Sequence, residues 1–211
     1  MRSLFSVLDH LVYATPDIKA TTDYIASRFG VRPTAGGKHP AWRTMNAILS
    51  LGPRMYLEIM GPDPGQPHPT DGRPFDLDRL SNPCLVTWVA RGQDLRAVKD
   101  TAVSDLVDLG EIQERSRQRP DGILLKWSMT DLMKDRENGI VPYFINWGDS
   151  PHPAESAPKG CTLKRLKAIH PEADRLTRIL KHLRLDLAVE QGLTAKLVAT
   201  IETQKGTAVI E

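Results

Sequence analysis

The chain has 211 residues, 26% of them charged, with a formal net charge of +2. That balance supplies no strong field for nucleic acid or a membrane surface, and the apolar runs are too short to span a bilayer. Cys84 and Cys161 lack CxxC spacing and read as reduced, packed residues rather than a metal knuckle.

The N-terminal run Leu8-Asp9-His10-Leu11-Val12-Tyr13-Ala14 reads as a strand, and Asp9 and His10 interrupt its apolar character too early for a signal peptide. A cytoplasmic location is therefore expected. Thr15-Pro16-Asp17 then opens a helix, with Thr15 as N-cap and Pro16 at the first position, and Gly30 closes it after Phe29. Met45–Leu51 and Met55–Met60 follow as strand-like runs between turn residues. The same grammar returns twice. Cys84–Ala90 precedes a helix carrying Leu95, Val98, Ala102 and Leu106, then strands over Gly110–Arg117, Ile123–Met129 and Ile140–Trp147. Leu163–Ile169 precedes a helix with Ala173, Leu176, Ile179, Leu180 and Leu183, then strands over Leu185–Glu190, Ala195–Glu202 and Thr207–Ile210.

Each unit thus reads strand, helix, three strands, which predicts an α+β fold of repeated βαβββ modules. The modules span about 4–62, 84–149 and 160–211 within a single domain over 1–211. Two Pro-rich crossovers, 62–83 and 150–160, join them, and neither is a Gly/Ser tether. Aligning the helix starts at Asp17, Asp94 and Glu172 places Thr87 and Arg165 where the first module has His10. The basic cluster of the third unit, from Lys164 to Arg184, reads as a solvated helix face, since no aromatic residues interleave with it. The tract from Asp131 to Glu137 reads as a solvated loop or short helix. His68, His152 and His182 attract no role, and Trp127 reads as packing.

His10 and Glu58 are the informative pair. An imidazole and a carboxylate, each on an apolar strand, are costly to bury unpartnered. They satisfy one another as a plain His–Glu pair, or they share a divalent ion. With open positions such an ion acts as a Lewis acid on adjacent substrate oxygens. His39, after Gly36-Gly37 and before Pro40, reads as an inward-pointing loop residue: a third ligand, a general base, or simply a loop histidine.

The βαβββ grammar, with Leu-Asp-His-Leu-Val around His10 and Tyr-Leu-Glu-Ile around Glu58, resembles the vicinal oxygen chelate superfamily of glyoxalases, bleomycin-resistance proteins and extradiol dioxygenases. More narrowly it looks like the glyoxalase-like domain proteins. The narrower resemblance rests on Gly36–Asn46, Tyr56-Leu57-Glu58, Val141–Trp147 and Gly160–Leu163, in that order along the chain. It implies a cupped mixed sheet made by two paired modules, with the third, C-terminal unit βαβββ-like, and a metal and small-molecule substrate inside. In that pattern each module gives a first-strand and a last-strand ligand. Here the first module supplies His10 and Glu58, whereas the second offers Thr87 and Ile145 or Asn146.

Two function classes follow. One is a metal-dependent isomerase, lyase or dioxygenase acting on a small oxygenated metabolite, using zinc, iron, manganese or nickel on His10 and Glu58, with His39 catalytic. The other is a metal-free binding or resistance protein of the same fold. In either, Asn46 holds a substrate oxygen and Trp42, Trp88 and Trp147 wall the pocket. Arg165 pairs with a substrate carboxylate, or is merely a surface charge. The odd third module leaves a strand edge that needs cover, so a homodimer is expected.

Overall fold

The computed structural model describes residues 3–134 and 136–211. After a single helical turn, α1 (Leu4–Val7), the first module runs β1 (Leu8–Ala14), α2 (Ile18–Phe29), β2 (Thr34–His39), β3 (Thr44–Gly52) and β4 (Met55–Pro62). The second runs β5 (Cys84–Arg91), α3 (Leu95–Val103), β6 (Gln113–Gln118), β7 (Leu124–Met129) and β8 (Tyr143–Asn146). A turn of helix, α4 (Pro153–Ser156), leads to β9 (Thr162–His170), α5 (Ala173–His182), β10 (Ala188–Gln191), β11 (Lys196–Thr203) and β12 (Gly206–Ile210).

Local chemistry sets the helix ends. Asp17, not Thr15, caps α2: its carboxylate accepts from the Ala20 amide at 2.9 Å. Thr15 Oγ1 instead meets Thr21 Oγ1 at 2.7 Å, tying the entry strand to the first helical turn. Asp94 caps α3 through the amides of Arg96 and Ala97. Gly30 ends α2 in the left-handed region at φ 78°, where a side chain would be strained.

The first two modules share one eight-stranded sheet in the order β2-β3-β4-β1-β5-β8-β7-β6. In each, the last strand returns parallel to the first: His10 aligns with Tyr56, and Val89 with Tyr143. The antiparallel β1–β5 seam joins the modules at the centre. The sheet curls until its two edges nearly meet. Gly37 permits this, because a Cβ there would stand 2.6 Å from the Gln118 carbonyl oxygen, and its φ of 141° is one few side chains adopt.

The third unit has the same element order but a different sheet. Its strands run β10-β9-β11-β12, with β10 parallel and β11 antiparallel to β9, so the last strand does not return to the first. It does not extend the cup. It packs on the cup's convex face, where Leu163, Leu166, Leu197 and Ile201 join Leu8, Leu11, Leu57, Trp88 and Ala90 in one core. The concave face carries a second cluster that includes Val12, Ile48, Tyr56, Met60, Val89, Trp127, Ile145 and Trp147. Covered on both faces, β1 is buried along its whole length.

The Asp131–Glu137 tract is not a solvated loop throughout. Arg136 is buried and donates to Thr130 Oγ1 and to the carbonyls of Leu109, Asp131 and Pro142, with its guanidinium 4.0 Å from the Tyr143 ring centroid. Asp135 of this tract lies outside the described residues. Cys84 and Cys161 are free, and Cys161 is buried.

Candidate functional site

The interior of the cup holds a small cavity of about 30 Å³ that opens to solvent; all the space between atoms there, open solvent included, comes to about 420 Å³. Its two walls differ. The first module supplies polar groups, with His39 from β2, Asn46 from β3, Tyr56 and Glu58 from β4, and His10 from β1. The second supplies a mostly apolar wall of Val89, Trp127, Met129, Ile145 and Trp147, broken by Arg117 of β6.

His10 sits at the centre of a buried chain of charges. A bulge in the β1–β5 ladder between Leu8 and His10 puts Asp9 out of register, so adjacent residues reach one another rather than opposite faces. Asp9 Oδ1 lies 2.8 Å from His10 Nδ1, and His10 Nε2 lies 3.4 Å from Glu58 Oε2. Burial by itself would push the imidazole down, but the hydrogen bonds and charges of Asp9 and Glu58 raise it to about 9. Burial likewise opposes ionisation of Glu58, yet bonding to His10 and Asn46 and the nearby positive charge hold it at about 2. Asp9, fully buried, is kept well below the ordinary carboxylate range in the same way. Carboxylate, imidazolium and carboxylate therefore coexist in one dry row, with Tyr56 stacked on the imidazole at 4.5 Å.

Two further residues support this row: His152, given no role by the sequence reading, and Trp147, which that reading placed in the pocket wall. His152, from the second Pro-rich crossover, is buried and its Nε2 lies 3.1 Å from Asp9 Oδ2. Its Nδ1 accepts from the Ala154 amide at 3.2 Å, so Nε2 carries the proton donated to Asp9. Trp147 Nε1 donates to the same carboxylate at 3.2 Å. The sequence did hold hints, since a carboxylate stands in an apolar strand and a histidine is clamped between Pro151 and Pro153. Nothing marked Arg117, which lies in the polar run Gln113–Gln118.

His39 ends strand β2 instead of projecting from a loop, because Gly36 and Gly37 lie inside the strand. Its Nδ1 is 3.1 Å from Thr44 Oγ1 and its Nε2 is 3.9 Å from Glu58 Oε1. Burial, reinforced by the charges of Arg117 and His10, pushes it down to about 4 against the pull of Glu58, so it is neutral at pH 7. Asn46 donates from Nδ2 to Glu58 Oε1 at 2.5 Å and leaves Oδ1 without a partner among the described residues. Trp42 lines the cavity edge-on to His39 at 5.6 Å.

Three expectations are corrected. Trp88 does not wall the cavity: it is wholly buried in the convex core and its indole donates to the Ile140 carbonyl at 2.9 Å. Arg165 is exposed on the four-stranded sheet and pairs with Glu190 at 3.1 Å, because the third unit lies outside the cup. Trp127 is more than packing, since it lines the cavity 5.2 Å from Trp147.

The donor set does not fit a resident metal. His10 Nε2 and Glu58 face one another, but among the described residues no three His, Cys, Asp or Glu side chains are grouped to hold an ion. The second module, which would complete the set, turns Val89 and Ile145 to the cavity. Thr87 spends its hydroxyl on the Gly139 and Trp88 carbonyls, and Asn146 bonds Gln93. Metal coordination by His10 and Glu58, as the resemblance implied, would need a third ligand: the second module supplies none, and His39, whose Nε2 stands 3.9 Å from Glu58 Oε1, is not grouped with the pair closely enough to hold an ion.

A solved structure agrees with the fold along almost the whole chain. A structure of a hypothetical protein from Staphylococcus aureus superposes with a TM-score of 0.69 at 14% identity, covering 97% of this chain and 98% of that one. Methylmalonyl-CoA epimerase from Mycobacterium tuberculosis matches at 15% identity over 74% of this chain and 96% of its own, with a TM-score of 0.45. A triple mutant of 4-hydroxymandelate synthase from Streptomyces coelicolor matches at 11% identity over 96% and 62%, with a TM-score of 0.49. No curated protein matches the sequence. Residues 8–184 match the model of the glyoxalase-like domain family, which takes in both modules of the cup, the seam between them and the start of the third unit. The chain belongs to the glyoxalase-like domain family.

Proposed function

We propose that the cup is a metal-independent binding site for a small oxygenated metabolite. One observation carries this reading. The charged row Asp9–His10–Glu58 satisfies itself internally, while Asn46 Oδ1 and Arg117 Nη1, both enclosed, have no partner among the described residues. Buried polar atoms left open cost stability, and a ligand that completes them recovers it. The ionic row acts as a rigid back wall, and the tryptophan side supplies apolar contact.

A second reading, proton transfer on the bound molecule, has its own support. His39 is neutral, lines the cavity and keeps Nε2 free of any bond closer than its 3.9 Å approach to Glu58. A neutral imidazole in that position takes a proton from a bound acid and returns it.

The test is ligand-observed NMR with a panel of small oxygenated metabolites, before and after exhaustive chelation. Binding that survives chelation and weakens in Asn46→Ala supports the proposal. Binding that disappears with EDTA and returns with one metal, in a stoichiometry lost in His10→Ala and Glu58→Ala, overturns it in favour of the metal-dependent isomerase, lyase or dioxygenase. A homodimer and a cytoplasmic location belong to the same proposal. β10 and β12 are the outer strands of their sheet, and no helix among the described residues is long and apolar enough to cross a membrane. Light scattering behind size exclusion checks the dimer.

A further inference from the structure

We infer that Arg117 anchors a ligand carboxylate, and that Asn46 Oδ1 receives a hydroxyl on the adjacent carbon, so that the cup selects small 2-hydroxy acids with an apolar tail. The inference rests on the binding reading above and adds the ligand class.

Arg117 is 3% exposed, and no hydrogen bond engages its guanidinium among the described residues. A buried arginine is ordinarily paired, as Arg136 is four times over in the same module. Glu58 attracts Arg117 but is already committed to His10 and Asn46. Its charge is therefore balanced through space while its donors stay open. Arg115, two residues along β6, stacks its guanidinium 5.4 Å from the Trp42 ring centroid, but it is half-buried and already donates to Gln113 Oε1, so it does not share the opening.

The position of the two open atoms narrows the choice. A Cβ built on Gly36 would stand 3.1 Å from Arg117 Nη1 and 2.2 Å from Asn46 Oδ1, so both atoms crowd the same glycine. The first is a charged donor and asks for an anionic oxygen. The second is an acceptor and asks for an O–H or N–H close by. A carboxylate with a hydroxyl on the next carbon presents both from two neighbouring atoms. Val89, Met129, Ile145 and Trp147 opposite then take a hydrocarbon tail.

Isothermal titration at pH 7 in EDTA with 2-hydroxy-4-methylpentanoate, its methyl ester and 4-methylpentanoate tests this. The hydroxy acid is expected to bind about ten- to a hundredfold more tightly than the ester, with the deoxy acid between them, as losing one charge-assisted bond implies. Arg117→Met is expected to remove the acid-over-ester preference. A cooperative thermal unfolding transition in the same variant shows that it folds. Equal affinity for acid and ester, no binding of either, or an unchanged preference in Arg117→Met overturns the anchor. If other, neutral metabolites still bind without metal, the wider binding reading stands. If the acid binds only with added metal, that reading fails as well.

Discussion

Asp9 Oδ1 and His10 Nδ1 are 2.8 Å apart although the two residues are neighbours on one strand, where side chains ordinarily alternate between faces. The bulge at the β1–β5 seam makes this possible and gives the site its electrostatic character. With one carboxylate behind it and Glu58 in front, His10 is a fixed imidazolium, not a pH-7 switch.

Asp9→Asn should therefore show the largest effect of any conservative change in the row. It leaves the His10, His152 and Trp147 donors facing a neutral amide, at a cost of about 2–4 kcal/mol. In two-dimensional NMR of the imidazoles, the His10 midpoint should fall well below its position near 9. A midpoint left unchanged would mean that Glu58 alone holds the proton.

Stability should depend on pH with a sign set by the same groups. His10, raised from 6.5 to about 9, contributes stability that is complete below pH 6.5 and lost as pH rises through 9. Glu58, lowered from 4.5 to about 2, contributes stability present above pH 4.5 and lost as pH falls through 2. His39, pushed down to about 4, acts on the acid side as well: the unfolded chain takes its proton more readily, so stability drops as pH falls from 6.5 towards 4. Urea unfolding between pH 6.5 and 9.5 should show a decline on the order of 3 kcal/mol that is absent in His10→Gln. Equal slopes in the two proteins would refute the charged-row assignment.

Gly36→Ala should damage binding more than stability. The added methyl would press on the Asn46 carboxamide and the end of Arg117, both of which are side chains, and no backbone atom stands among its nearest neighbours. Loss of the ligand signal in titration, with a Tm within a few degrees of wild type, is the expected result. A variant that binds normally would show that the space beside Gly36 is not used.

Arg136 tests the fold without touching the cavity. Its guanidinium joins the strand ends around Leu109, Thr130 and Pro142, and Arg136→Met takes a buried donor from each, leaving Thr130 Oγ1 and the Leu109 carbonyl only the amides of Phe144 and Asp131. A loss of about 3 kcal/mol or more is expected in chemical denaturation. Residual affinity of the folded fraction should be unchanged, which separates this arginine from Arg117.

The sequence by itself determined the modular plan, because strand and helix periodicities and cap residues are local. The runs around His10 and Glu58, the helix from Ile18 to Phe29 and its Gly30 stop are legible as written. So is the choice of polar cavity residues in the first module, since a charged side chain in an apolar strand signals its own cost of burial. Only the tertiary structure decided what those residues meet. Trp88 and Trp147 look alike in sequence, yet they fall on opposite faces of the curled sheet, one in the convex core and one in the cavity. Arg165 and Arg117 both sit among charged neighbours, yet the third unit's sheet lies behind the cup, leaving one exposed and the other buried. His152 reaches Asp9 across 143 positions of chain. Curvature, register shifts and the docking of one sheet on another are set by contacts between distant segments, and no local pattern encodes them.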